Sequence, residues 1–136
     1  MRTLATINLV LLIAGCGRGT PEVIPVTGKV YYRGKPLTHG TIIFTPDYRR
    51  GNRGPSAQAA IQKDGSFRLS VNEQDGACPG WHLVTILALE STEPRRAGQF
   101  RVPRSLLPEK YAHPDLSGLA CEVKVGKPNN FTFHLE

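Results

Sequence analysis

Histidines and cysteines are the side chains here best suited to metal binding or nucleophilic attack, and their spacing argues against both. His39, His82, His113 and His134 stand far apart, with no pair at i/i+2 or i/i+4, and no Cys-x-x-Cys occurs. A zinc-type site usually draws on such short local spacings. Asp64 and Asp75 each precede a glycine, but no further carboxylates follow at calcium-loop intervals. The Gly-x-Ser-x-Gly turn that exposes a hydrolase nucleophile is absent. No catalytic residue, metal or cofactor is therefore expected, which leaves covalent modification and binding.

One cysteine stands where modification is expected. Met1-Arg2-Thr3 is a short positive start, and Leu4 to Ala14 is apolar apart from Thr6 and Asn8. That length fits a signal-peptide core of roughly 7–15 residues and falls short of the about 20 that span a bilayer. Gly15, Gly17, Gly19 and Pro21 follow, so a docked helix would have to stop abruptly. Ile13-Ala14-Gly15-Cys16 resembles the lipobox of bacterial lipoproteins. The resemblance implies cleavage before Cys16 and diacylglycerol on its thiol. Acyl chains contribute about 0.8 kcal/mol per buried methylene, and two or three together hold a protein on a membrane. Residues 1–15 are then a signal peptide, 16–23 the lipidated cysteine and tether, and 24–136 a single folded domain. Gly17 follows the anchor, not the aspartate that retains lipoproteins at the inner membrane. The expected address is the cell envelope, at the outer membrane, facing the periplasm or the exterior.

The other thiols, Cys78 and Cys121, would then lie in an oxidising compartment. If seven strands alternate in direction, Cys78 lies in the loop before the fifth strand. Cys121 lies toward the opposite end of the sixth, about four or five residues of strand away at roughly 3.3 Å each. Bridged Cα atoms must come within about 7 Å. Two free cysteines are expected, Cys121 as a small core residue and Cys78 as a loop thiol.

Charge is the remaining source of function. Lys and Arg number 17 against 11 Asp and Glu, a net charge of +6. The same strand alternation sorts the arginines. Arg49, Arg50 and Arg53 fall at the tether end with Arg18 and Lys127, as candidates for contact with anionic headgroups, where each charge is worth about 1 kcal/mol. Arg95, Arg96, Arg101 and Arg104 fall at the far end, in a long loop that could meet an envelope protein or a polysaccharide. Solvated surface loops are the plainer reading of both clusters. Nucleic acid is not expected as a partner, because no aromatic stacking platform is interleaved with the arginines.

The elements that must position these residues read as strands. Val26, Gly28, Val30 and Tyr32 alternate with polar neighbours, and Gly34-Lys35-Pro36 turns the chain. Thr41 to Thr45 is a second strand, ended by Pro46, and Ala57 to Gln62 a weaker third. Asp64-Gly65 marks a tight turn before Phe67, Leu69 and Val71. Trp81 to Leu89 is the longest apolar run, expected as a central strand buried on both faces. Leu119, Cys121, Val123 and Val125 alternate again, and Phe131, Phe133 and Leu135 close the chain. Between them, residues 91–117 form a long irregular segment. Tyr111 and Leu106-Leu107 are expected to cap the open end of the domain.

Seven short strands without an amphipathic helix point to two sheets packed face to face. "VTGKVYYRGKPLTHGTIIFTPD", "KDGSFRL" and "DGACPGWHLVTI" resemble the first strands, the Asp-Gly hairpin and the Pro-Gly strand of carboxypeptidase regulatory-like, or transthyretin-like, domains. The closing "LPEKYAHPDLSGLACEVKVGKPNNFTFHLE" resembles the tail of small bacterial lipoproteins of this kind. Together the pieces cover most of residues 24–136. The resemblance implies a seven-stranded Greek-key β-sandwich of prealbumin or immunoglobulin type, usually non-catalytic, and it supplies no ligand. His82 takes the place of the family's core-facing aromatic and is expected at the edge of the core, bonded to a backbone carbonyl. A transthyretin-like hydrolase shares the fold, but its C-terminal Tyr-Arg-Gly-Ser is replaced here by "FTFHLE". The expected function is that of a membrane-anchored envelope lipoprotein with a structural or binding sandwich. The alternatives are a carbohydrate-binding module, with Trp81, Tyr31 and Tyr48 as its exposed aromatics, and, less favoured, a hydrolase.

Overall fold

The computed structural model describes residues 22–91, 97–98 and 101–136. Cys16 and the sequence before it, Arg18, Arg95 and Arg96 lie outside the described residues. The described chain is all-β, with two short 3-10 turns and no α-helix.

The seven expected strands are present: β1 (Val26–Tyr32), β3 (Thr41–Pro46), β4 (Ala57–Ala60), a split fourth strand, β8 (Gly80–Leu87), β9 (Ala120–Val123) and β10 (Asn129–Leu135). The fourth strand splits at Leu69 into β5 (Ser66–Arg68) and β6 (Ser70–Val71). β5 pairs with β1, whereas β6 pairs with β4. The Leu69 N–H reaches Val26 O at 3.0 Å, while its carbonyl accepts from Gly76 N at 2.7 Å. One run thus contributes to both sheets. Two-residue segments, β2 (Lys35–Pro36) and β7 (Gln74–Asp75), complete the hairpins after β1 and β6.

One sheet holds β10, β1, β2 and β5, and the other runs β7-β6-β4-β3-β8-β9. Successive strands alternate in direction, so the first and last run parallel, Val26 opposite Asn129 through Tyr32 opposite Leu135. The alternation defines two ends. The basal end holds Ile24, where the chain enters, with the β3–β4, β7–β8 and β9–β10 connections. The distal end holds the β1–β2 hairpin with its connection to β3, the turn at Asp64-Gly65 and the long segment after β8.

Alternate residues of both sheets meet in one core. Phe44 of β3 lies 6.0 to 6.3 Å, ring centre to ring centre, from Phe67, Phe131 and Phe133 of the other sheet. Val26, Val30, Ile42, Leu69, Val84, Ile86 and Leu135 are buried around these rings. Each such side chain contributes about 1.5–3 kcal/mol on burial. Gly28 sits between Phe131 and Phe67 on its two neighbouring strands. A Cβ there would overlap the Phe131 carbonyl oxygen and come within 2.6 Å of the Phe67 ring, so only glycine fits.

The turn after β4 shows why Asp-Gly is there. Gly65 N donates to Gln62 O at 2.9 Å, and Gln62 N to Ser66 O at 2.8 Å. Gly65 takes φ +84, which a side chain would resist. Asp64 Oδ1 accepts from Ser66 N and Oγ, at 3.0 and 2.6 Å. These bonds hold the Asp64 carboxyl below its ordinary range.

The expectation of a strand buried on both faces fails for β8. His82, Val84 and Ile86 face the core, but Leu87 is 42 % and Leu89 53 % exposed. β9 pairs only with Gly80 to Leu83, so among the described residues no strand flanks β8 beyond Leu83 on that side, and on the outer face Thr85 is buried while Leu87 is not. η2 (Glu109–Ala112) packs against β8. Leu107 and Tyr111 are buried, and the Tyr111 hydroxyl accepts from Glu136 N at 3.0 Å, just past β10. Leu106 N also donates to Ala88 O at 2.9 Å. The segment therefore ties the two sheets together at the distal end, as its apolar residues suggested.

Candidate functional site

Three places bring together residues with chemical potential. The first is buried at the basal end. Gly80 pairs with Val123 and His82 with Cys121 across β8 and β9. His82 Nδ1 lies 3.0 Å from Gly80 O, the backbone bond expected of it. That contact makes Nδ1–H the donor and leaves Nε2 as an acceptor. Nε2 lies 3.5 Å from Asn52 Nδ2 and 3.5 Å from Cys78 Sγ. Cys78 also reaches Asn52 Oδ1 and Pro55 O, both at 3.6 Å. Asn52 Nδ2 donates to Trp81 O at 2.8 Å, and its Oδ1 accepts from Gly54 N at 3.0 Å.

Cysteine, histidine and asparagine in contact suggest a nucleophile and its base, but the environment opposes that role. All three side chains are buried. Burial pushes the Cys78 thiol up and the His82 imidazole down from their ordinary values. Both partners are therefore neutral near pH 7, where a nucleophilic pair needs thiolate beside imidazolium. The cluster satisfies polar groups beneath the β3–β4 loop and presents no reactive atom to solvent.

Both described thiols are free and buried, and burial pushes Cys121 up to about 12. The two stay unpaired as expected, although β9 is shorter than the sixth strand read from sequence. β9 is four residues long and pairs with the basal half of β8, so Cys121 sits only two residues from the basal end. Cys78 is held from the β3–β4 side by Asn52 and Pro55, while Cys121 joins from β9. The His82 strand lies between them.

The second place is the basal surface. Arg49, Arg50 and Arg53 are all exposed there. Asp47 caps η1 (Tyr48–Arg50) by accepting from Arg49 N at 3.1 Å, and Gly51 ends it at φ +80. The arginines are not equivalent. Arg50 lies over the Trp81 ring at 4.0 Å and pairs with Asp47 at 3.6 Å, whereas Arg53 stands 5.9 Å from the Tyr48 ring. Trp81 is thus covered by a guanidinium. Tyr31 lies on the other sheet, stacked on His134 at 5.2 Å. The three aromatics proposed for sugar binding therefore form no common row.

The third place is distal and was not singled out from sequence. An open cleft of about 480 Å³ is lined by Tyr32, Arg33, Lys35, Pro36, Leu37, Thr38, His39 and Leu106. A second depression of about 620 Å³ adjoins it, sharing Thr38 and His39 and adding Lys63 and Ser91. Both His39 nitrogens are engaged, Nε2 with Leu89 O at 2.8 Å and Nδ1 with Thr38 Oγ1 at 3.3 Å. Arg101 and Arg104, the described members of the far arginine cluster, are exposed at this end.

Among the described residues, no three His, Cys, Asp or Glu side chains group as metal ligands would. No helix among them is long and apolar enough to cross a membrane. Compared with known proteins, the chain matches no family, no curated protein and no solved structure.

Proposed function

We propose that this is a lipid-anchored protein of the bacterial cell envelope, acylated at Cys16, whose domain is a non-catalytic structural or binding module. The domain is read as a seven-stranded Greek-key sandwich of the transthyretin-like type, and the outer membrane as its address. One observation carries the reading: the end polarity of the fold. Ile24, where the chain enters, shares the basal end with Arg49, Arg50, Arg53 and Lys127, while the cleft and the long segment lie at the distal end. A tether of residues 16–23 would then bring the basal arginines toward anionic headgroups and hold the distal end, with its own separate set of cations, away from them. The buried, neutral Cys78–His82–Asn52 cluster supports a non-catalytic role.

Replacing Cys16 tests the anchor. Cys16→Ser should move the full chain from the membrane to the soluble fraction and abolish labelling by a radioactive fatty acid. A Cys16→Ser protein that still fractionates with membranes, or a native product whose mass retains Met1 and an unmodified thiol, refutes the reading. Within the Cys16→Ser background, Arg49→Glu with Arg53→Glu should reduce residual binding to anionic vesicles at low salt. Arg50 is left intact because it supports Trp81. Unchanged binding would return those arginines to plain solvated loop.

A further inference from the structure

We infer that the distal cleft is a binding site for an acidic polysaccharide, with Arg33, Lys35 and Lys63 as the cations that meet its carboxylates. The juxtaposition is a cationic rim over an apolar floor at the end remote from the point where the chain enters. This deepens the binding half of the proposed function but does not depend on the anchor. A protein never acylated would leave it standing.

The first support is the backbone of Arg33. Tyr32 and Lys35 are paired, with Arg33 at φ +50 and Gly34 at φ +79 between them. Two positive φ values in a two-residue connection make a turn whose first position ordinarily takes Asn, Asp or Gly. Arginine gains nothing there that asparagine would not provide with less strain. Strain of this kind collects where a side chain serves another purpose. The side chain is also held in place: its guanidinium carbon stands 5.2 Å from the Tyr32 ring centre.

The second support is the charge of the lining. Arg33 and Lys35 border the cleft and Lys63 its extension, and among the described residues no acidic side chain lines either depression. Among the described residues, the ion pairs join Arg50 to Asp47, Arg68 to Asp75 and His113 to Glu109, so none engages these three cations.

The third support is the shape and chemistry of the floor. Two adjoining open depressions sharing Thr38 and His39 suit an extended chain better than a compact ion. Tyr32, Pro36 and Leu106, above the buried Leu37, offer apolar surface to the C–H faces of sugar rings. The Thr38 and Ser91 hydroxyls can bond sugar hydroxyls. A polymer that carries carboxylates, hydroxyls and flat C–H ring faces uses all of these at once.

Polygalacturonate is the probe, titrated against the full chain in non-ionic detergent at fixed ionic strength, with neutral dextran and poly-L-glutamate as comparisons. Polygalacturonate is expected to bind more tightly than either, and more weakly as salt rises. Arg33→Asn should lose about tenfold in affinity while its melting temperature rises, because the turn is relieved. Lys35→Gln with Lys63→Gln should lose a similar factor with unchanged melting. The inference fails if dextran or poly-L-glutamate binds as well as polygalacturonate. It fails equally if Arg33→Asn binds like the parent, or if Arg49→Glu with Arg53→Glu at the other end costs as much as the distal changes.

Discussion

Lowering the pH should destabilise this fold through one residue, His82. Its ring packs on Phe44 at 5.7 Å, and Nδ1 and Nε2 are occupied by Gly80 O and by Asn52 and Cys78. A second proton, on Nε2, would face the Asn52 amide hydrogens and a protonated thiol, with no carboxylate in the cluster to compensate. Burial holds the imidazole below its ordinary value of 6.5, opposed only by the Gly80 bond. Below pH 6.5 the unfolded chain therefore takes up a proton that the folded chain refuses. The stabilisation is fully present above that value and falls as the pH drops. One proton gives a ceiling of about 1.4 kcal/mol per pH unit, so between pH 7.5 and 5.5 the loss is about 1.4 kcal/mol at most. Against the about 5–15 kcal/mol typical of a domain, that is measurable. Urea unfolding can be followed by the fluorescence of Trp81, the single tryptophan. His82→Phe keeps a ring against Phe44 and removes the titration, so the difference in pH dependence between the two proteins isolates His82. If both lose the same stability over this range, the neutral buried imidazole is refuted.

Other outcomes follow from the packing. Gly28→Ala should cost about 3 kcal/mol, seen as a lower urea midpoint, because the new Cβ would overlap the backbone carbonyl of Phe131 and press on the Phe67 ring, itself packed with Phe44 and Phe133. Asn129→Ala should cost about 2–3 kcal/mol and speed amide exchange over residues 124–129. Its side chain accepts from Lys124 N and donates to Lys124 O and Lys127 O, at 2.9 to 3.1 Å. Cys78 and Cys121 should resist a thiol reagent in the folded protein and react on unfolding; rapid labelling of either would contradict its burial. Because burial raises both thiols above the ordinary 9.0, their contribution should be lost as the pH climbs beyond 9, measured by the urea midpoint.

Much of the scaffold was legible because strands declare themselves by alternation. Val26 to Tyr32, Ile42 to Phe44 and Phe131 to Leu135 carry period-two burial, and Asp64-Gly65 carries its turn chemistry. The sites were less so. Asn52 and His82 are thirty positions apart, and nothing local to either announces the other. Arg33 stood in plain view within "YYRGKP", yet its positive φ follows from the register of Tyr32 against Lys35. The assignment of β8 as buried on both faces failed because apolar content alone does not say whether a second layer covers a strand.

Composition and period determined that this chain would be all-β, with seven short strands running alternately and its arginines divided between two ends. These are local matters, fixed by which side chains neighbour one another along the chain. Tertiary structure decided the split of the fourth strand between two sheets, the pairing of the first strand with the last, and the burial of Cys78 against His82. It also decided that Arg33 and Lys35 border one distal cleft and Lys63 the depression adjoining it. Those depend on which hydrogen-bonding edges and apolar faces meet after the chain has folded back on itself, and that information is distributed over residues far apart in sequence.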